Sequence, residues 1–122
     1  MSEYLVISTS IDLMRVASED IVYVSSDGNY SSFVFTNGES RVVTIQLGQV
    51  ERLLAEQLTH SGADFIRIGK SLIVSVRHVH YINPSKQQII LSDNSTFRFD
   101  LTASKKALKQ FKELLEQNME TK

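Results

Sequence analysis

The stretch Phe65 to Val76, FIRIGKSLIVSV, constrains the fold of this chain more than any other. Two short runs rich in β-branched residues flank Gly69-Lys70-Ser71. Ile66 and Ile68 fall on one face of the first run, and Leu72, Val74 and Val76 share a face of the second. A period of two predicts half-buried strands. Arg67 points away from the two isoleucines, and Lys70 sits in the break. This arrangement holds cations at fixed positions on a stiff scaffold, which suits a phosphate or a base edge. The other reading is an ordinary β-hairpin whose turn is basic.

The stretches before it read as an antiparallel meander. Tyr4 to Ser8 and Leu13 to Val16 predict a hairpin around Thr9-Ser10-Ile11-Asp12, and Ile21 to Val24 is a third strand. Ser25 to Asn29 is turn chemistry, because Asp, Gly and Asn accept positive φ and bond their own backbone. Ser31 to Phe35 returns as a strand with Phe33 and Phe35 on one face. Asn37-Gly38 signals a type I′ hairpin into Ser40 to Thr44. Leu47, Val50, Leu53, Leu54 and Leu58 then recur at helical spacing, with Thr44 as the N-cap and His60-Ser61-Gly62 as the stop.

Beyond Val76 the apolar phase slips. Val74, Val76, Val79 and Ile82 cannot share one strand face, so a kink near Arg77-His78 is required. Asn83 to Lys86 is a turn, Ile89 to Leu91 a strand, and Asp93 to Ser95 another turn before Phe97 and Phe99. Thr102 is expected to cap a terminal helix that buries Ala103, Ala107, Leu108, Phe111, Leu114 and Leu115, with Gln117 to Lys122 frayed. No linker, repeat or low-complexity tract divides the chain. One domain over residues 1–122 is expected, with a core from about 4 to 117.

The chain has no Cys, so disulfides and thiolate metal sites are excluded. No apolar run is long enough to span a membrane and no signal-peptide pattern opens the chain, which predicts a cytoplasmic protein. Net charge is −1, but residues 1–61 hold three arginines against eight acids, whereas residues 62–122 hold ten cations against six acids. Such a dipolar chain can turn one basic face to an acidic polymer. Catalytic signatures are missing: no Gly-x-Ser-x-Gly, phosphate-cradling Gly loop or His-Glu-x-x-His occurs. His78 and His80 lack a third ligand at compatible spacing, so no metal or cofactor is expected. An enzyme is not expected.

FIRIGKSLIVSV followed by HVHYI resembles the central signature of LytTR-type DNA-binding domains, the output domain of many bacterial response regulators. EDIVYVSSDGNYSSFVF is similar to the family's opening block, and TIQLGQVERLL to the short helix between the two. The resemblance implies a mostly β fold of several small antiparallel sheets with one internal and one C-terminal helix. It further implies loops on one edge that enter major grooves of duplex DNA while other residues hold phosphates. Carried over by position, the first loop supplies Asn29, Tyr30 and Ser31, the second Gly69, Lys70 and Ser71, and Arg67 is expected on phosphate. Arg77 and Lys105 complete the expected DNA-binding set.

The sequence departs from the family at the third loop, where Phe99-Asp100-Leu101-Thr102 lacks the usual Ser-Arg pair and Asp100 repels phosphate; Ser104-Lys105 is a shifted candidate. Gly69 stands where the family favours His, and Ser75 where it favours Asn. The chain opens on the strand Tyr4 to Ser8 rather than on a receiver domain, so regulation is expected to come from a partner regulatory protein, from oligomerisation as a homodimer, or from expression level. Two functions follow: a transcriptional regulator binding duplex DNA, or a protein-interaction module that keeps the fold without base readout. A common face for Arg67, Lys70, Arg77 and Lys105 favours the first.

Overall fold

The computed structural model describes residues 3–120. Among these residues ten strands form three antiparallel sheets. β1 (Tyr4–Ser8) and β2 (Leu13–Ala17) pair as a hairpin. β3 (Ile21–Asp27), β4 (Tyr30–Phe35), β5 (Ser40–Val43), β6 (Phe65–Ile68) and β7 (Leu72–Ser75) form the central sheet in the order β5-β4-β3-β7-β6. β8 (Val79–Asn83), β9 (Gln88–Ser92) and β10 (Arg98–Thr102) form the third sheet, with β9 in the middle. Helix α1 (Leu47–Gln57) connects β5 to β6, and α2 (Lys105–Glu120) closes the chain. This is the mostly β architecture expected from the sequence.

The central sheet is covered on both faces. On one side Leu5, Ile7 and Met14 of the hairpin meet Val24, Phe33 and Ile73 of the sheet and Val50, Leu54 and Leu58 at α1. On the other, Ile68, Leu72 and Val74 meet Ile89 and Leu91 of the third sheet and Leu108 and Phe111 of α2. β7 lies between β3 and β6 and is covered on both faces, so all four of its residues are buried rather than alternate ones. The half-buried expectation failed here because period two tells which side chains share a face, not whether the second face is covered. The phase slip after β7 is resolved as expected, by a 3-10 turn over Val76–His78.

Local capping differs from the sequence reading at four places. Gln46, not Thr44, precedes α1, and it makes no side-chain cap bond. The Phe35–Glu39 turn is not type I′: only Gly38 has positive φ (+87°), and Gly38 N–H donates to the Phe35 carbonyl. This is a three-residue connection with glycine in the left-handed position. Thr102 is spent in β10, opposite Gln88, so Ser104 caps α2 by accepting from Ala107 N at 3.1 Å. Helix α2 continues through Glu120 rather than fraying from Gln117, and Leu114 is exposed. Thr121 and Lys122, the end of the stretch expected to fray, lie outside the described residues.

Two side chains fasten the N-terminal hairpin to α1. Gln57 donates to the Val6 carbonyl at 2.9 Å and accepts from Val6 N at 2.8 Å, imitating a neighbouring strand. Glu3 accepts from the Ser61 hydroxyl and amide, the Thr59 hydroxyl and the His60 amide. These bonds, the Ser61 hydroxyl first, hold its carboxyl down at about 2. A carboxylate whose folded value lies below its unfolded value of 4.5 stabilises the fold above that value. That contribution is lost as pH falls toward about 2. Glu3→Gln is therefore expected to lower the urea midpoint at neutral pH and to flatten its decline on acidification. Parallel pH slopes for the two proteins would refute this.

Candidate nucleic-acid interface

Three chain connections line up along one edge. The first is the β3–β4 turn, where Asp27 pairs with Tyr30 and only Gly28 and Asn29 lie between. Gly28 has φ +68° and Asn29 does not share it, the pattern of a type II′ turn. The second is Gly69-Lys70-Ser71, closing β6 onto β7 with Gly69 at φ +66°. A side chain there costs about 1–2 kcal/mol in backbone strain, so glycine suits the position. The third is Thr102-Ala103-Ser104 between β10 and α2.

Direct contacts set their order. Ser26 N donates to the Ser71 carbonyl at 2.9 Å, tying the second turn to the strand that carries the first. Ser25, Ser26, Ser71, Asp100 and Thr102 line one open cleft. Gly69, Lys70, Ser104, Lys106 and Gln110 line the next. Tyr23 stacks edge-on against Phe99 at 5.5 Å, holding β10 against the central sheet. On the far side of the first turn Tyr30, half exposed, borders a shallow apolar groove with Val42 and Ser32.

The structure brings together only part of the expected set. Asn29, Tyr30, Gly69, Lys70 and Ser71 are exposed along this edge. Ser31 must be corrected: it is fully buried, and its hydroxyl donates to the Ile45 carbonyl at 2.7 Å. It faces the core because it follows Tyr30 in β4 and side chains alternate. Arg67 is engaged within the protein, with Nη1 on Glu51 at 3.1 Å and Nη2 on the Lys70 carbonyl at 2.8 Å. Arg77 sits at the other end of β7 from the turn, beside Glu3, His60, Ser61 and Asp64. The four cations therefore do not share one face.

At the third connection Lys106 faces the cleft, and Lys105 is exposed beside it. Lys106 was missed by sequence reasoning because which lysine meets the cleft depends on how Leu108 and Phe111 seat α2. With that face seated, Lys106 lines the same cleft as Gly69 and Lys70. Asp100 is partly neutralised by Arg98 at 3.4 Å. His78 packs edge-on against Phe97 at 5.3 Å and its imidazole is pushed down by burial, while His80 is exposed. Among the described residues no three His, Asp or Glu side chains gather as a metal site. No helix among them is long and apolar enough to cross a membrane.

The fold and this edge define a loop-presenting, mostly β domain whose connections project from a doubly covered sheet, with Lys70 in the second and Lys105 and Lys106 in the first turn of α2 after the third. The family model of the LytTr DNA-binding domain matches residues 12–116, and the chain belongs to that family. It is a family of DNA-binding domains, not of enzymes. Among solved structures the chain is similar to the LytTr DNA-binding domain of a Bacillus cereus protein described as a putative methyl-accepting/DNA response regulator. The TM-score is 0.62 at 21% identity, covering 93% of this chain and 96% of that one, and this likeness bears on the fold. No curated protein matches.

Proposed function

We propose that this chain is a transcriptional regulator that binds duplex DNA through the edge formed by the β3–β4 turn, the β6–β7 turn and the start of α2. The observation that carries the reading is Lys70, exposed at a glycine-initiated turn in a cleft it shares with Lys106, in a member of a DNA-binding family. Lys70 reaches guanine acceptors in a major groove, Asn29 and Tyr30 lie over the neighbouring groove or its phosphates, and Lys105 and Lys106 hold backbone. A single module neutralises few phosphates, so binding alone is modest and falls steeply with salt.

Selection from a randomised duplex pool, at low and physiological salt, tests this directly. The expected result is an enriched motif whose binding drops about 10- to 100-fold in Lys70→Ala, the cost of one good base contact. A uniform loss across all sequences, with the salt slope reduced by about one, would move Lys70 from base to phosphate. Absence of binding at low salt overturns the proposal and favours a protein-interaction module, toward which the separate position of Arg77 also points.

A further inference from the structure

We infer that Arg67 and Glu51 form a positioning pair that presents Lys70, and that Arg67 is not itself a phosphate contact. The inference rests on the DNA-binding reading above and deepens it. Its basis is the register of the central sheet. Arg67 lies opposite Ile73, which lies opposite Val24, so all three side chains leave the sheet on the α1 side. Ile73 and Val24 enter the core there. Arg67, on the edge strand, instead passes beside Gly48 to Glu51 one helical turn on. A Cβ at Gly48 would stand 3.7 Å from Nη1, so the guanidinium lies against the helix surface.

One planar guanidinium then performs two tasks. Nη1 is held by Glu51, and Nη2 donates to the carbonyl of Lys70. That carbonyl belongs to a turn, outside the strand ladder. The next carbonyl along, that of Ser71, is tethered in turn by Ser26 N. With Gly69 before it, Lys70 takes its backbone direction from these two bonds. Arg suits the role because its fixed fork reaches two acceptors at once, which a single ammonium cannot do in the same geometry.

The same segment of chain also reaches the first turn. Gln46 donates to Asn29 Oδ1 at 3.3 Å, and the Ile45 carbonyl accepts from Ser31. Residues Ile45 to Glu51 thus touch both turns, one through Asn29 and Ser31 and the other through Arg67. Their spacing on DNA is set by the entry into α1 as well as by the sheet.

The test compares Glu51→Gln, Arg67→Lys, Arg67→Gln and the double glutamine variant on the selected DNA, with urea midpoints measured alongside. Removing an anion near DNA strengthens binding if charge alone matters. The positioning pair predicts the reverse: Glu51→Gln weakens binding about two- to fivefold, the range of one partly exposed ion pair. Arg67→Lys weakens it as Arg67→Gln does, with the wild-type salt slope retained, and the double variant is no worse than Arg67→Gln. Arg67→Lys behaving as wild type while Arg67→Gln loses about one unit of slope would overturn the inference, making Arg67 a phosphate contact. In the free protein, Glu51→Gln is expected to raise the fast motion of the Lys70 and Ser71 amides in nitrogen-15 relaxation, and unchanged amides overturn the pair. This arm decides the inference even if the wild-type chain proves not to bind DNA, an outcome that would end only the functional reading.

Discussion

Phe33→Ala is expected to lower the unfolding free energy by about 3–5 kcal/mol, the range for truncating a buried aromatic. Phe33 is fully buried at the centre of β4, opposite Val24 of β3, in the core shared by the hairpin, the sheet and α1. Its ring cannot be replaced by neighbouring motion without moving α1 or the hairpin, so the cavity stays largely open. A domain of this kind has only about 5–15 kcal/mol in total, so the variant lies close to unfolding at ambient temperature. Urea titration checks it: the midpoint falls while the slope holds. A loss below about 1 kcal/mol would mean that this core collapses around the gap, contrary to the packing described.

Leu108→Ala is expected to cost about 2–5 kcal/mol and to act unevenly. Among the described side chains of α2, Leu108 and Phe111 are the two buried ones, and they seat the helix on the third sheet and on β6. Most of the remaining α2 surface is polar, and an isolated helix of this length is marginal in water. With Leu108 shortened, α2 should open before the central sheet does. Amide hydrogen exchange is therefore expected to quicken along 105–118 while β3 and β7 keep their protection. The cleft between Lys70 and Lys106 would loosen in step. Equal acceleration everywhere would show that α2 belongs to a single cooperative unit with the sheet.

Much of the architecture was legible because its signals are local. Alternating apolar residues announced β6 and β7, the helical stripe from Leu47 to Leu58 announced α1, and the slip after Val76 announced a kink found at Val76–His78. The turns at Gly28 and Gly69 were legible too, since glycine marks the positive φ that both adopt. Errors came where two local candidates competed. Thr102 and Ser104 are both fit to cap a helix, and the choice fell to Ser104 because β10 pairs through Thr102 with Gln88. Leu114 fits the apolar stripe of α2, but the helix turns its neighbour Leu115 toward the core and leaves Leu114 exposed.

The candidate interface divides in the same way. Lys70 was found by its position in a break between strands, which needs no tertiary knowledge. Ser31 and Arg67 were placed on the interface by likeness of sequence, and the fold engages both within the protein. Ser31 is spent on the Ile45 carbonyl and Arg67 on Glu51 and the Lys70 carbonyl. Sequence alone determined which stretches are strands, where the chain turns and which turn carries a cation, since these follow from side-chain period and backbone sterics. Only the tertiary structure decided which polar groups remain free to meet a partner. That depends on what packs across each face of the sheet, and the partners come from chain segments 14 to 16 residues away, as in the bonds from Ser31 and Arg67.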